Sequence, residues 1–169
     1  MSNPRPLDFD AIAEARRQWE TRGWSAPAAM SATTSIMRAH QIILARVDEA
    51  LRSFDLTFAR FEALVLLAFS RQGALPLGKM GDRLMLHPTS VTNIIDRLEG
   101  QGLVERTAHP TDRRTTLATI TDDGRRVVDK ATEAVSATRF GMAALDDDEL
   151  DQITALLRTV RIDAGDFPG

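Results

Sequence analysis

Along most of the chain apolar residues recur every three or four positions, and in one stretch near Thr116 they alternate instead. Phe9, Ile12, Arg16 and Trp19 fall at i, i+3, i+7 and i+10, with Ala15 beside them, which predicts a short N-terminal helix that Gly23 and Pro27 terminate. A longer helix is predicted from Thr33 to Phe54, with Ile36, His40, Ile43, Val47, Leu51 and Phe54 on one stripe. Asp55 and Thr57 permit a break. In the next helix Phe58, Phe61, Leu64, Val65 and Phe69 occupy more than one face, the pattern of the most enclosed helix in a fold. Gly73-Ala74-Leu75-Pro76 is a connector placed to add a short strand, and Leu77 to Leu84 forms a helix that precedes a turn at Leu86-His87-Pro88.

The stretch from Leu84 to Thr121 organises the rest. Pro88-Thr89-Ser90 is a helix start signal, because such side chains satisfy the unpaired N–H groups of a first turn. Val91, Ile94, Ile95 and Leu98 then give that helix one apolar face, while Thr89, Ser90, Thr92 and Asn93 leave the other polar. Gly100 and Gly102 end it. Leu103–Thr107 and Thr115–Ile120 are β-compatible runs joined by Ala108-His109-Pro110-Thr111-Asp112-Arg113-Arg114, a turn-rich tip ending in two arginines. Helix, hairpin and basic tip together predict a winged helix-turn-helix, with short polar side chains for a major groove and guanidinium groups for a narrow minor groove. Beyond it, Thr121-Asp122-Asp123 opens a long helix to about Gly141, with acidic residues where the helix dipole favours them. Asp146 and Glu149 match a capping box, and Leu150, Ile153, Leu157 and Val160 give the last helix an apolar face.

The Asp112-x-Arg114 pair followed by Ile120-Thr121 resembles the D-x-R-x-x-x-x-x-[LI]-T wing pattern of the MarR family of bacterial transcriptional regulators. Pro88-Thr89-Ser90-Val91-Thr92-Asn93 followed by Arg97-Leu98-Glu99 is similar to that family's recognition helix, and the likeness spans roughly residues 33 to 162. It implies a mainly α fold with a small β-hairpin: a winged helix-turn-helix DNA-binding lobe over 57–121 and a helical dimerisation region over 33–56 and 122–163. The helix at 7–24 resembles the extra N-terminal helix of the PecS, TamR and urate-responsive branch. One departure is that Ile94 stands where the urate-responsive regulators carry an arginine, whereas Arg106 and Glu62 match that branch.

Composition adds three exclusions. The chain has no cysteine, so disulfides, thiolate metal sites and thiol-based oxidation sensing are ruled out. It has no apolar run of membrane-span length and no apolar signal core, from which a cytoplasmic protein without membrane contact is expected. His40, His87 and His109 have none of the neighbours that nucleophilic or metal-assisted chemistry needs, so neither an enzyme nor a cofactor or metal site is expected. Net charge is −3, although residues 75–126 carry eight basic against seven acidic side chains. Charge alone decides nothing here.

The candidate DNA contacts are Thr89, Ser90, Thr92, Asn93 and Arg97 on the helix and Asp112, Arg113 and Arg114 on the wing. Asn93 is the expected base reader, through a bidentate contact to adenine, and the hydroxyls position the helix on phosphates. By the resemblance, Asp112 braces the wing and Arg114 enters the minor groove. The resemblance also implies a small-molecule site near the dimer helices, for which Trp19, His40, Arg60, Glu62 and Arg106 are the candidates. Its expected occupant is a small anion such as a polycarboxylate, urate or an aromatic acid. Trp19 is equally suited to stapling its helix in place beside Trp24, and His40 to a buried core or interface position where it titrates near neutral pH. The whole reads as a homodimeric, ligand-responsive repressor that binds double-stranded DNA at a palindromic operator. The alternative is a winged-helix protein–protein interaction module without DNA binding.

Overall fold

Residues 7–109, 111–112 and 115–169 are described by the computed structural model. Helix α1 (Ala11–Thr21) begins on Asp10, whose carboxylate accepts from the backbone N–H groups of Ile12 and Ala13. The second helix, α2 (Pro27–Leu51), starts on a proline, which is preorganised for the first helical position and leaves no needed donor there. It therefore begins earlier than the predicted Thr33. A 3-10 turn, Arg52–Phe54, completes it. Next come α3 (Phe58–Phe69), β1 (Ala74–Pro76), α4 (Leu77–Leu84), α5 (Pro88–Gly100), β2 (Val104–Ala108), β3 (Thr116–Ile120), α6 (Asp122–Ala137) and α7 (Asp147–Asp163). The fold is mainly helical with a small antiparallel sheet of order β1-β3-β2.

The chain separates into two compact units, with the division inside α2 after Ala45. In the first unit Trp19 Nε1 donates to the Ser25 carbonyl at 2.9 Å, and the Trp19 and Trp24 rings meet edge to face at 4.8 Å. Trp19 thus fastens the turn that follows α1, and Trp24 is 54% exposed. His40 also lies in this unit and is solvent-exposed, which corrects the expected core position and leaves the interface alternative open.

In the second unit the core is built by Leu51, Leu64, Leu67, Met80, Ile95 and Leu98, all fully buried. Asp48 accepts from the Phe58 N–H at 2.7 Å and so caps α3, whose own Thr57 makes no capping bond. The connector before α4 does add a strand: β1 pairs with β3 from Ala74–Thr119 to Pro76–Leu117, and the Ile120 N–H donates to the Gly73 carbonyl. Strands β2 and β3 pair from Val104–Ile120 to Ala108–Thr116. Gly124 makes close packing of α6 possible, because a Cβ there would lie 2.2 Å from the Leu103 carbonyl oxygen. Helix α6 stops at Ala137, short of the expected Gly141. Arg139, Phe140 and Gly141 take φ of +49°, +51° and +75°, a left-handed corner in which no right-handed helix continues. The capping box at Asp146 and Glu149 forms in both directions, yet α7 has no buried residue among those described.

Candidate nucleic-acid interface

Helices α4 and α5 form the helix-turn-helix. Met85 leaves α4 in the left-handed region at φ +52°, and the Leu86 N–H returns to the Gly81 carbonyl. Gly81 is needed at this crossing, since a Cβ would sit 3.1 Å from the Leu86 carbonyl oxygen and 3.5 Å from Val91. The His87 ring caps α5 by accepting from the Thr89 N–H through Nδ1 at 3.3 Å, so this histidine has a structural role. Val91, Ile95 and Leu98 are buried, which turns Thr89, Ser90, Thr92, Asn93 and Arg97 to solvent together. The Thr92 hydroxyl donates to the Pro88 carbonyl. No other bond of the described structure occupies the side chains of Ser90, Asn93 and Arg97, and they project from one rigid helix.

The wing carries on from this face. At its tip the Thr115 hydroxyl donates to Asp112 Oδ2 at 2.7 Å and the Thr115 N–H to the Asp112 carbonyl, while the His109 N–H bonds the Thr115 carbonyl. Asp112 therefore holds the hairpin turn. Arg113 and Arg114 lie outside the described residues. Arg106, on β2, joins wing to helix: its Nη2 donates to Asp96 Oδ1 at 2.5 Å and its Nη1 to Glu99 Oε2, and its backbone N–H also donates to Glu99. A guanidinium forked between two carboxylates is fixed by charge-assisted bonds in a set geometry. Nothing in the spacing of the sequence pointed to this pairing, because its members lie on different elements.

The candidates for a small-molecule site are spread over several elements. Trp19 and His40 belong to the first unit. Arg106 is committed to α5, and the Arg60 guanidinium bonds the Asp55 carbonyl and the Thr57 hydroxyl. Glu62 lines a groove of about 850 Å³ between α3 and α6 that reaches Leu84 at the end of α4 and Phe140 at the left-handed corner. Burial against its apolar wall raises the Glu62 carboxyl above its ordinary value, although the side chain keeps contact with solvent.

This arrangement defines a winged helix-turn-helix DNA-binding protein, a transcriptional regulator and not an enzyme. The MarR family model matches residues 56–116. Over 133 residues the chain is 31% identical to the HTH-type transcriptional regulator MhqR of Bacillus subtilis (strain 168), covering 78% of this chain and 90% of that one. Among solved structures it resembles Sco5413, a MarR family transcriptional regulator from Streptomyces coelicolor, with 54% identity and a TM-score of 0.78 over 84% of this chain and 99% of that one. It is also similar to CouR from Rhodococcus jostii RHA1, whose structure holds p-coumaroyl-CoA, at 28% identity and TM-score 0.66 over 79% and 90% of the two chains. The chain belongs to the MarR family.

Proposed function

We propose that this regulator binds a palindromic operator as a homodimer, represses from it, and is released by a small molecule. The observation that carries the reading is the free polar face of α5, with Asn93 at its centre, braced against the wing by Arg106. Ser90 and the threonines suit phosphate contact, and Asn93 suits a bidentate contact to adenine. Arg113 and Arg114, placed by the sequence at the wing tip, suit the minor groove. Two copies related by a two-fold axis would set their α5 helices about 34–36 Å apart, one turn of DNA. The exposed apolar residues Leu156 and Val160 of α7 supply surface for that pairing.

Release follows a population shift in which ligand favours a spacing that no longer matches the operator. Moving occupancy from nearly full to nearly empty takes about 5 kcal/mol of differential affinity. The CouR neighbour shows that a protein of this fold accommodates a small-molecule acyl thioester. Kinship with the PecS, TamR and urate-responsive branch rests on α1, while the pairing of Arg106 with Asp96 and Glu99 takes that arginine away from any ligand.

The test is fluorescence anisotropy with the inverted repeat from the adjoining promoter against a random duplex, each titrated with salt. The operator should bind much the tighter. Asn93→Ala should lose about 1–3 kcal/mol on the operator and little on random DNA. Equal affinity of the parent protein for both duplexes would favour the protein–protein module instead.

A further inference from the structure

The groove between α3 and α6 has an unusual balance of charge for a regulator expected to sense an anion. Phe58, Phe61, Phe69 and Phe140 line it, and Phe69 is 84% exposed. Its charged groups are Glu62 on α3 and Asp129 and Glu133 on α6, and no lysine, arginine or histidine is among the described residues of its wall. An organic anion entering this space would shed water only to meet carboxylates of its own sign. A neutral apolar molecule would desolvate those carboxylates without pairing them. A cation with an apolar body satisfies both parts of the wall: carboxylates take the charge, and phenylalanine faces attract it further through their quadrupoles.

Two more features agree. Asp129 and Glu133 stand four residues apart on one helix, where like charges repel and a cation between them relieves the repulsion. The volume, about 850 Å³, lies in the range of sites that enclose a drug-sized molecule. From this geometry we infer that the groove is a binding site for a lipophilic monocation, an organic ammonium or phosphonium whose charge is shielded by aromatic groups, and that this is the effector class of the regulator. The inference rests on the ligand-responsive reading given above. Coupling to DNA runs through Leu84, which lines the groove as the last residue of α4 and is separated from α5 by the connector Met85-Leu86-His87 alone. Desolvation raises the Glu62 carboxyl, and a bound cation, by favouring the ionised form, opposes that shift.

Tetraphenylphosphonium and tetraphenylborate have nearly the same shape and apolar surface but opposite charge. Isothermal calorimetry on the full chain in sodium buffer should show the phosphonium binding at least about tenfold tighter than the borate. The triple change Glu62→Gln, Asp129→Asn, Glu133→Gln should reduce the preference to about twofold or less. Glu133→Gln alone, at an exposed position, should reduce it part of the way and serves if the triple variant does not fold. Equal binding, preference for the borate, or binding of neither ion overturns the inference, whatever the protein does with DNA. Operator anisotropy separates the rest. Phosphonium that binds but leaves the operator complex intact overturns the effector role alone, whereas a protein that prefers no DNA sequence overturns the reading beneath it.

Discussion

A guanidinium held by two carboxylates has little left to offer a ligand, and Arg106 is in that state. Arg106→Ala should lower stability by about 1 kcal/mol, read from urea denaturation, because it removes a partly enclosed pair of charge-assisted bonds. It should also weaken DNA binding on all sequences alike, since it loosens the wing without touching a base reader. Glu62 gives the opposite sign. Its folded value lies above the ordinary 4.5, so in the pH window between the two the folded chain binds more proton than the unfolded chain. That contribution favours folding below the ordinary value and is lost as pH rises through the folded one. Glu62→Gln should therefore raise Tm slightly near pH 7, with the gain vanishing near pH 4 in a thermal melt series. Single residues were legible where one element decides them. The polar face of α5 follows from its own periodicity, and Thr89, Ser90, Thr92, Asn93 and Arg97 are exposed together as that periodicity requires. Arg106 and Glu62 were not, because a strand residue pairing with Asp96 and Glu99, or a carboxylate facing α6, depends on packing between elements.

Among elements, the junction of β2, β3 and α6 is the tightest. Thr121 caps α6 by accepting from the Gly124 N–H, while its hydroxyl donates to the Gly102 carbonyl. A methyl at Gly124 would collide with the Leu103 backbone and with Ile120, neither of which can swing aside. Gly124→Ala should cost about 2–3 kcal/mol in urea denaturation, even though alanine favours helix intrinsically. The capping signals at Asp146 with Glu149 and at Thr121 read truly from the sequence, whereas α5 is capped by His87 and not by the Thr89 and Ser90 hydroxyls. Boundaries governed by backbone handedness did not. Nothing in Arg139-Phe140 marks a left-handed corner, because both residues are ordinary helix formers and only their surroundings hold them there.

For the whole molecule, apolar surface left uncovered is the main fact. Leu156 and Val160 stand one turn apart on α7, 71% and 62% exposed. If they meet a second copy, Leu156→Asp with Val160→Asp should yield a monomer in sedimentation velocity. Operator affinity should then fall about a hundredfold or more, because the second half-site no longer binds as part of the same body. The helical periodicity announced an apolar face on α7 but not what covers it. The groove was invisible for a related reason: Glu62, Asp129 and Glu133 come from helices far apart in the chain.

The rivet between β2 and α5 also bears on how such regulators diversify. With Arg106 tying the hairpin to Asp96 and Glu99 in the C-terminal half of α5, the side chains of Ser90 and Asn93 nearer its start are free to be rewritten without breaking that tie. Descendants of this chain can accordingly acquire new target sequences by exchanging a few exposed α5 residues. If two copies bind together, as proposed, a change in the distance between the two halves of a target has to come from the way those copies are joined.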